Sequence, residues 1–317
     1  MNQSNRTDVI RNAFDASAEL DLQHPGYREK IVAFLDEMIH ADVRQGDVSQ
    51  LPHRLYETEV TAKIIAKTPG VIAGLDEAVF YLKRRHLDIR TNYCNGNPVN
   101  TADVLMNIHG KASEILTIER SLLNLLQRLS GIATTTKTYR DKIAGKTPFI
   151  AGTRKTLWGI LDKSAIRWGG GLTHRLGLYD AAMLKENHLR VLSNSGDPEA
   201  LHSAVSEIIS AYPYLRFIEI EVGNAQEYHT ILRFLENITA PFPFVIMFDH
   251  FTPEEIKSLI AEIKGKPRYH HLLFEASGNI TLDRVTSYAD SGVDVLSVGA
   301  LTHSTPSADF SLLIEKD

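Results

Sequence analysis

The sequence predicts an α/β protein in which a mixed α+β first part precedes a closed or nearly closed parallel (β/α) barrel. Three observations predict it. At 317 residues the chain exceeds one average domain but fits a barrel with an appendage. Past about residue 148, short β-like runs alternate with longer helical stretches, the mark of parallel βαβ units. No G-x-G-x-x-G follows a first strand, as a doubly wound nucleotide-binding sheet would have. No sequence period of solenoid or propeller length is present.

The elements follow in order. Pro25 to Ala41 reads as a helix, with Ile31, Leu35, Met38 and Ile39 on one face. Glu59 to Ala66 is β-like, and Thr68-Pro69-Gly70 and Asn95-Gly96-Asn97-Pro98 are turn signals. A long helix is predicted from Ala112 to Ile143, its stripe formed by Ile115, Ile118, Leu122, Leu125, Leu126 and Leu129. Gly131 is expected to bend it, and the helix is the expected joint between domains. The barrel strands are expected at Pro148–Ala151, Ala181–Lys185, Arg216–Val222, Phe244–Phe248, His271–Glu275 and Val293–Val298. The helices between them are expected at Pro198–Ala211, Ala225–Glu236, Pro253–Ile263 and Thr281–Ser291.

Composition narrows the function. With 34 Lys+Arg against 39 Asp+Glu the net charge is -5, the wrong sign for a mainly electrostatic nucleic-acid binder. Any anionic ligand must therefore meet a local cluster of cations. The single cysteine, Cys94, allows no intrachain disulfide and no multi-cysteine metal site, which suits a reducing cytoplasm. The first twenty residues hold no apolar run of signal-peptide length, and no run reaches membrane-spanning length. A soluble cytoplasmic protein, with neither nucleic acid nor membrane as partner, is the expectation.

Polar residues cluster where the barrel strands end, and the C-terminal ends of barrel strands form the active-site rim of such folds. Ala151 leads to Gly152-Thr153-Arg154-Lys155, and Leu184 to Lys185. Glu219 and Glu221 share one face of their strand. Phe248 leads to Asp249-His250, Phe274 to Glu275-Ala276-Ser277-Gly278, and Leu296 to Ser297-Val298-Gly299. Each has a plain structural alternative: paired carboxylates in a lumen, a solvated Arg-Lys loop, His174-Arg175 capping a helix. The segment from Arg154 to Lys185 also carries Lys163, Arg167, His174 and Arg175 against only Asp162 and Asp180. Gly169-Gly170-Gly171 within it is expected to let backbone approach a ligand. Such a cluster suits a phosphorylated or multiply carboxylated small molecule. Glu221 and Asp249 would repel that ligand unless a divalent cation lay between, as hard oxygen ligands and substrate phosphates hold Mg²⁺.

The motifs E-R-x-x-x-N-x-L-Q-R-L-S-G-I-A-T (119–134), T-R-K-T (153–156), G-G-G-x-x-H-R-x-G-L-Y-D (169–180), K-x-N-H (185–188), E-A-S-G (275–278) and G-V-D-V-L-S-V-G-A-L-T-H-S (292–304) resemble the quinolinate phosphoribosyltransferase family. Gly46-Asp47-Val48, A-K-x-P-G-V-I-A-G (66–74) and Asn95-Gly96 agree with it. The resemblance implies an N-terminal α/β sandwich and an incomplete (β/α) barrel of fewer than eight units. The expected division is 1–124 and 125–317, with the last residues returning to the first domain. It implies a homodimer, or a larger assembly, with active sites shared between subunits. The implied reaction joins quinolinate to phosphoribosyl pyrophosphate with loss of CO₂ and pyrophosphate, giving nicotinate mononucleotide for NAD biosynthesis.

By matched motif, Arg154, Arg175 and Lys185 would hold the two quinolinate carboxylates, with Arg120 reaching in from the partner subunit. His174 and Thr153 would line the pocket. Lys155 would face the phosphates, and Glu221 and Asp249 would position Mg²⁺ and the ribose hydroxyls. Ser277-Gly278-Asn279 and Val298-Gly299-Ala300 would cradle the 5′-phosphate. The resemblance departs at Gly152, where an Asp is usual, Thr173 and His250, where an Asn is usual, and Asn279, where a Gly is usual. These leave a related barrel protein of molybdenum-transport operons as a second reading. A non-catalytic phosphoribosyl-ligand binder, or a barrel enzyme using Lys185 as a Schiff base, are further alternatives.

Overall fold

The computed structural model describes residues 3–48, 57–194 and 199–315. It divides into two compact units, one of 1–16, 138–159 and 171–303, the other of 17–137, 160–170 and 304–317.

The first unit holds six parallel strands: β6 (Phe149–Ala151), β7 (Ala182–Leu184), β8 (Ile218–Val222), β9 (Phe244–Asp249), β10 (Leu272–Ser277) and β11 (Val295–Ser297). Their order is β6-β11-β10-β9-β8-β7, so the first strand returns to pair with the last. Among the described residues β6 and β7 share no ladder; Ala151 of β6 instead bridges to Leu172, ahead of β7. The cylinder is thus incomplete, as the resemblance implies. All six strands fall on the predicted runs.

Helix α1 (Gln3–Phe14) belongs to this unit, which differs from the expected placement of residues 1–16 in an N-terminal domain. The reason is burial. Ile10, Ala13 and Phe14 pack with Ala181, Phe217, Val245, Leu273 and Val295, at or just before the N-terminal ends of five strands, and with Ala151 and Leu172, and so close the lumen floor. Arg216 seals the helix end: its Nε donates to Ala13 O at 3.1 Å and its guanidinium to Asn12 O at 2.8 Å, satisfying carbonyls that a helix C-terminus leaves unpaired. Arg6 pairs bidentately with Asp294 at 2.7 Å.

Between the strands lie α6 (Glu186–Asn194), α7 (Ala200–Ala211), α8 (Ala225–Leu235), α9 (Pro253–Ile263) and α10 (Val285–Ala289). Pro198, expected to open α7, lies outside the described residues. The Thr252–Glu255 capping box starts α9. The predicted helix Thr281–Ser291 shrinks to the five residues of α10.

The second unit has an antiparallel sheet of β12 (Phe310–Ile314), β1 (Glu59–Ala66), β5 (Val104–Lys111) and β3 (Asp88–Arg90), in that order. Strand β1 matches the prediction to the residue, and its alternation buries Ala62, Ile64 and Ala66. Chain end β12 pairs with β1, Ile314 opposite Ala62. A two-stranded pair of β2 (Gly70–Val71) and β4 (Pro98–Val99) completes the strands. Its helices include α2 (Pro25–Val43), α3 (Leu75–Arg84) and α5 (Ile160–Trp168).

The long helix α4 (Ala112–Lys142) runs unbroken through Gly131, contrary to the expected bend. Glycine serves proximity instead: a Cβ there would lie 2.2 Å from Pro306 O. The same reading corrects Gly169, where a Cβ would meet Ala133 O at 2.4 Å. It lets chain pack against α4 rather than approach a ligand.

Candidate active site

The parallel register brings the strand ends level. Leu184 pairs with Ile220, Glu221 with Met247, and Asp249 with Ser277. Lys185, Glu221, Asp249 and Ser277 therefore stand side by side at the C-terminal end of the barrel. Lys185 Nζ lies 2.6 Å from Glu221 Oε2. Asp249 is partly exposed, with His250 Nε2 3.8 Å from its Oδ2.

Arg175 is buried. Among the described residues its guanidinium donates to Ala181 O at 3.4 Å and Met183 Sδ at 3.3 Å and pairs with no carboxylate, although the charges of Glu219, Asp180 and Glu275 act on it. Burial holds its pKa below the usual guanidinium value, and the neighbouring charge of Arg154 lowers it further. These two cations are close enough to repel, an arrangement that a dianion would relieve. Arg154 itself is exposed.

Lys155 N donates to Thr153 Oγ1 at 3.1 Å, and Thr302 Oγ1 donates to Lys155 O at 2.7 Å. The Lys155 side chain lies against Gly299, where a Cβ would come within 3.5 Å of its Cδ. The loop after β11, Val298-Gly299-Ala300, opens the short helix α11 (Ala300–His303). The loop after β10 is held left-handed, with φ +88° at Gly278 and +51° at Asn279. Gly278 is obligatory there, since a Cβ would meet the His250 ring at 2.8 Å.

Beneath the rim, His174, Glu219 and Glu275 meet in the lumen, all buried. Strand β10 extends to Ser277, two residues past the expected end at Glu275, and Glu275 lies inside it, buried. His174 Nε2 lies 3.0 Å from Glu275 Oε2 and 3.6 Å from Glu219 Oε2. Ser297 Oγ donates to the other oxygen of Glu275. Burial and the adjacent Glu275 push the Glu219 carboxyl well above the usual carboxylate range. The I-E-I-E-V alternation signals an inward Glu219; nothing local in the sequence signals its meeting with Glu275.

Two expected members of the basic cluster lie elsewhere. Lys163 and Arg167 sit on α5, in the second unit. Lys163 is buried, and Arg167 donates to Ser17 O at 3.0 Å and stacks over Trp168. The cluster splits because α5 intervenes between Lys155 and His174. Arg120 is exposed on α4, also in the second unit.

Family models match most of the chain: the quinolinate phosphoribosyl transferase N-terminal domain over residues 47–130 and the C-terminal domain over 132–313. The chain belongs to the quinolinate phosphoribosyltransferase family. It is 33% identical over 273 residues to a probable nicotinate-nucleotide pyrophosphorylase (carboxylating) of Archaeoglobus fulgidus, covering 85% of this chain and 98% of that one. To the nicotinate-nucleotide pyrophosphorylase (carboxylating) of Mycobacterium leprae it is 34% identical over 281 residues, with 86% and 93% covered. The solved nicotinate-nucleotide pyrophosphorylase of Francisella tularensis superposes with a TM-score of 0.73 at 28% identity, covering 91% of this chain and 97% of that one.

Among quinolinate phosphoribosyltransferase motifs, the departures now have positions. Thr173 is buried and ties down α1: its Oγ1 accepts from Ala16 N at 2.8 Å. His250 and Asn279 both take positive φ, +62° and +51°, and their side chains meet at 3.4 Å. Gly152 is buried, its N–H bonded to Leu172 O at 3.1 Å.

Proposed function

We propose that this chain transfers phosphoribosyl from phosphoribosyl pyrophosphate to quinolinate with decarboxylation, yielding nicotinate mononucleotide, CO₂ and pyrophosphate, a step of NAD biosynthesis. The observation that carries this reading is the buried Arg175, without a carboxylate of its own and beside the charge of Arg154. A diacid supplies the direct charge-assisted contacts that neither guanidinium receives from a carboxylate of the site.

In this reading Arg154, Arg175 and Lys185 grip the quinolinate carboxylates, and His174 and Thr153 line the pocket. Lys155 meets the phosphates, and backbone N–H groups of Ser277-Gly278-Asn279 and Val298-Gly299-Ala300 take the 5′-phosphate. Glu221 and Asp249 face the ribose carbon, where departure of the pyrophosphate leaves positive charge that carboxylates stabilise. Glycosylation makes the pyridine nitrogen cationic, so the ring accepts the electron pair released as the adjacent carboxylate leaves as CO₂. The carbon then takes a proton. The protein's task is orientation and exclusion of water.

The donor set fits Mg²⁺: two partly exposed carboxylates on adjacent strands, short of the number a cation needs unless phosphate oxygens and water complete it. Bound there by Glu221 and Asp249, the ion would neutralise charge on the leaving pyrophosphate. A homodimer belongs to the same reading, with Arg120 of the partner subunit completing the acid pocket. Leu157, Leu178 and Tyr179, 71%, 75% and 61% exposed, supply apolar surface near the rim for it to cover. A cytoplasmic setting fits the lone exposed Cys94, and no helix among the described residues is long and apolar enough to cross a membrane.

The test is turnover of quinolinate with phosphoribosyl pyrophosphate and Mg²⁺, followed by CO₂ release, with nicotinate assayed beside it. Quinolinate is consumed and nicotinate is not. Equal turnover of nicotinate, or tight phosphoribosyl pyrophosphate binding without turnover, would overturn the assignment.

A further inference from the structure

We infer that Glu275 and Ser297 are positioning residues: they fix the tautomer and orientation of His174, and through it the backbone of Arg175, at the acid pocket. The inference rests on the proposed function for its consequence, but its geometry stands alone.

The backbone N–H of Arg175 donates to His174 Nδ1 at 2.7 Å. A backbone N–H is always a donor, so Nδ1 must offer its lone pair, and the ring hydrogen is on Nε2. That Nε2–H points at Glu275 Oε2, 3.0 Å away. The other Glu275 oxygen accepts from Ser297 Oγ, which stops the carboxylate from turning. Phe14 and Phe217 meet the imidazole edge-on, with centroids 5.0 and 5.4 Å away. Apolar contacts thus confine the ring, and its two nitrogens decide its angle. His174 holds a left-handed backbone, φ +55°, a strained conformation that persists only where its surroundings over-determine it. The chain Ser297–Glu275–His174–Arg175 N adds to that determination, beside the bonds from His174 N to Phe14 O at 2.7 Å and from Thr173 Oγ1 to His174 O at 3.0 Å.

The same three side chains bring ligand atoms within 4.8 Å of one another, a spacing open to a divalent cation. The tautomer decides against it. A metal needs the Nε2 lone pair, and metal-bound histidines donate from the other nitrogen; here that nitrogen accepts.

The experiment is long-range ¹H–¹⁵N spectroscopy of ¹⁵N-histidine-labelled protein, His174 assigned by its loss in His174→Gln. A pyrrole-like Nε2 and a pyridine-like Nδ1 are expected, unmoved by Mg²⁺ or Zn²⁺ in the absence of substrate. Hydrogen on Nδ1, or ring shifts on adding either metal ion, overturns the inference. Glu275→Gln keeps an acceptor oxygen and is expected to keep the tautomer and most activity. Glu275→Leu is expected to lose the fixed tautomer and raise the KM for quinolinate, with kcat/KM down roughly a hundredfold and the KM for phosphoribosyl pyrophosphate unchanged. Loss of kcat with both KM values intact, or Glu275→Gln as impaired as Glu275→Leu, overturns it. Should Glu275→Leu not fold, the wild-type spectrum and the Gln variant still decide. Absence of quinolinate turnover by the wild type sinks the proposed function and leaves the tautomer result standing.

Discussion

Lys185 Nζ and Glu221 Oε2 form an ion pair at 2.6 Å across adjacent strand ends, with Lys185 47% and Glu221 15% exposed. At that exposure the pair adds little to stability, about 1 kcal/mol or less. Lys185→Ala should therefore leave the melting temperature nearly unchanged. Its cost falls on catalysis, about 2–3 kcal/mol of lost charge-assisted contact or roughly a hundredfold in kcat/KM for quinolinate. Steady-state kinetics beside a thermal melt separates the two.

Two glycine substitutions should part site from scaffold. Gly278→Ala places a Cβ 2.8 Å from the His250 ring at a φ of +88°. It should raise the KM for phosphoribosyl pyrophosphate more than it lowers stability. Gly131→Ala drives a Cβ to 2.2 Å from Pro306 O and should destabilise the fold by about 1–3 kcal/mol. Denaturant titration and substrate kinetics on both proteins test the contrast.

Phe14 is fully buried and stacks on Phe217 with centroids 4.8 Å apart. Phe14→Ala should cost about 3–5 kcal/mol by emptying the lumen floor. It also removes an aromatic wall of His174, so quinolinate KM should rise in whatever protein stays folded. A Phe14→Ala protein with wild-type melting would refute the plug.

Glu77 makes stability depend on pH. Its oxygens accept from Tyr27 Oη at 2.8 Å and Asn95 Nδ2 at 2.7 Å, yet burial outweighs these bonds and raises its pKa. A carboxyl raised on folding loses stability as pH climbs from its unfolded value, ~4.3, through its folded one, because the unfolded chain gives up the proton first. Each unit of displacement is worth about 1.4 kcal/mol. Glu77→Gln should thus lose less stability than the wild type as the pH rises above about 4.3. Urea unfolding across that range measures the difference, and parallel slopes would refute it.

Read from sequence alone, the strand runs, the long α4 stripe and the polar strand ends are all legible, because alternation and helical spacing are local properties of the chain. The family resemblance likewise marked Arg154, Arg175, Lys185, Glu221 and Asp249 as one candidate set. Tertiary structure decided the rest. Lys163 and Arg167 look like members of the same basic cluster until α5 carries them into the other unit. Gly131 and Gly169 look like a hinge and a ligand loop until the neighbouring backbone shows what they make room for. Polar α1 shows no sign of filling a barrel, and Glu275 no sign of holding His174. Both depend on which strands become neighbours, and contacts across 159 or 101 residues of sequence exist only after the sheet has curled.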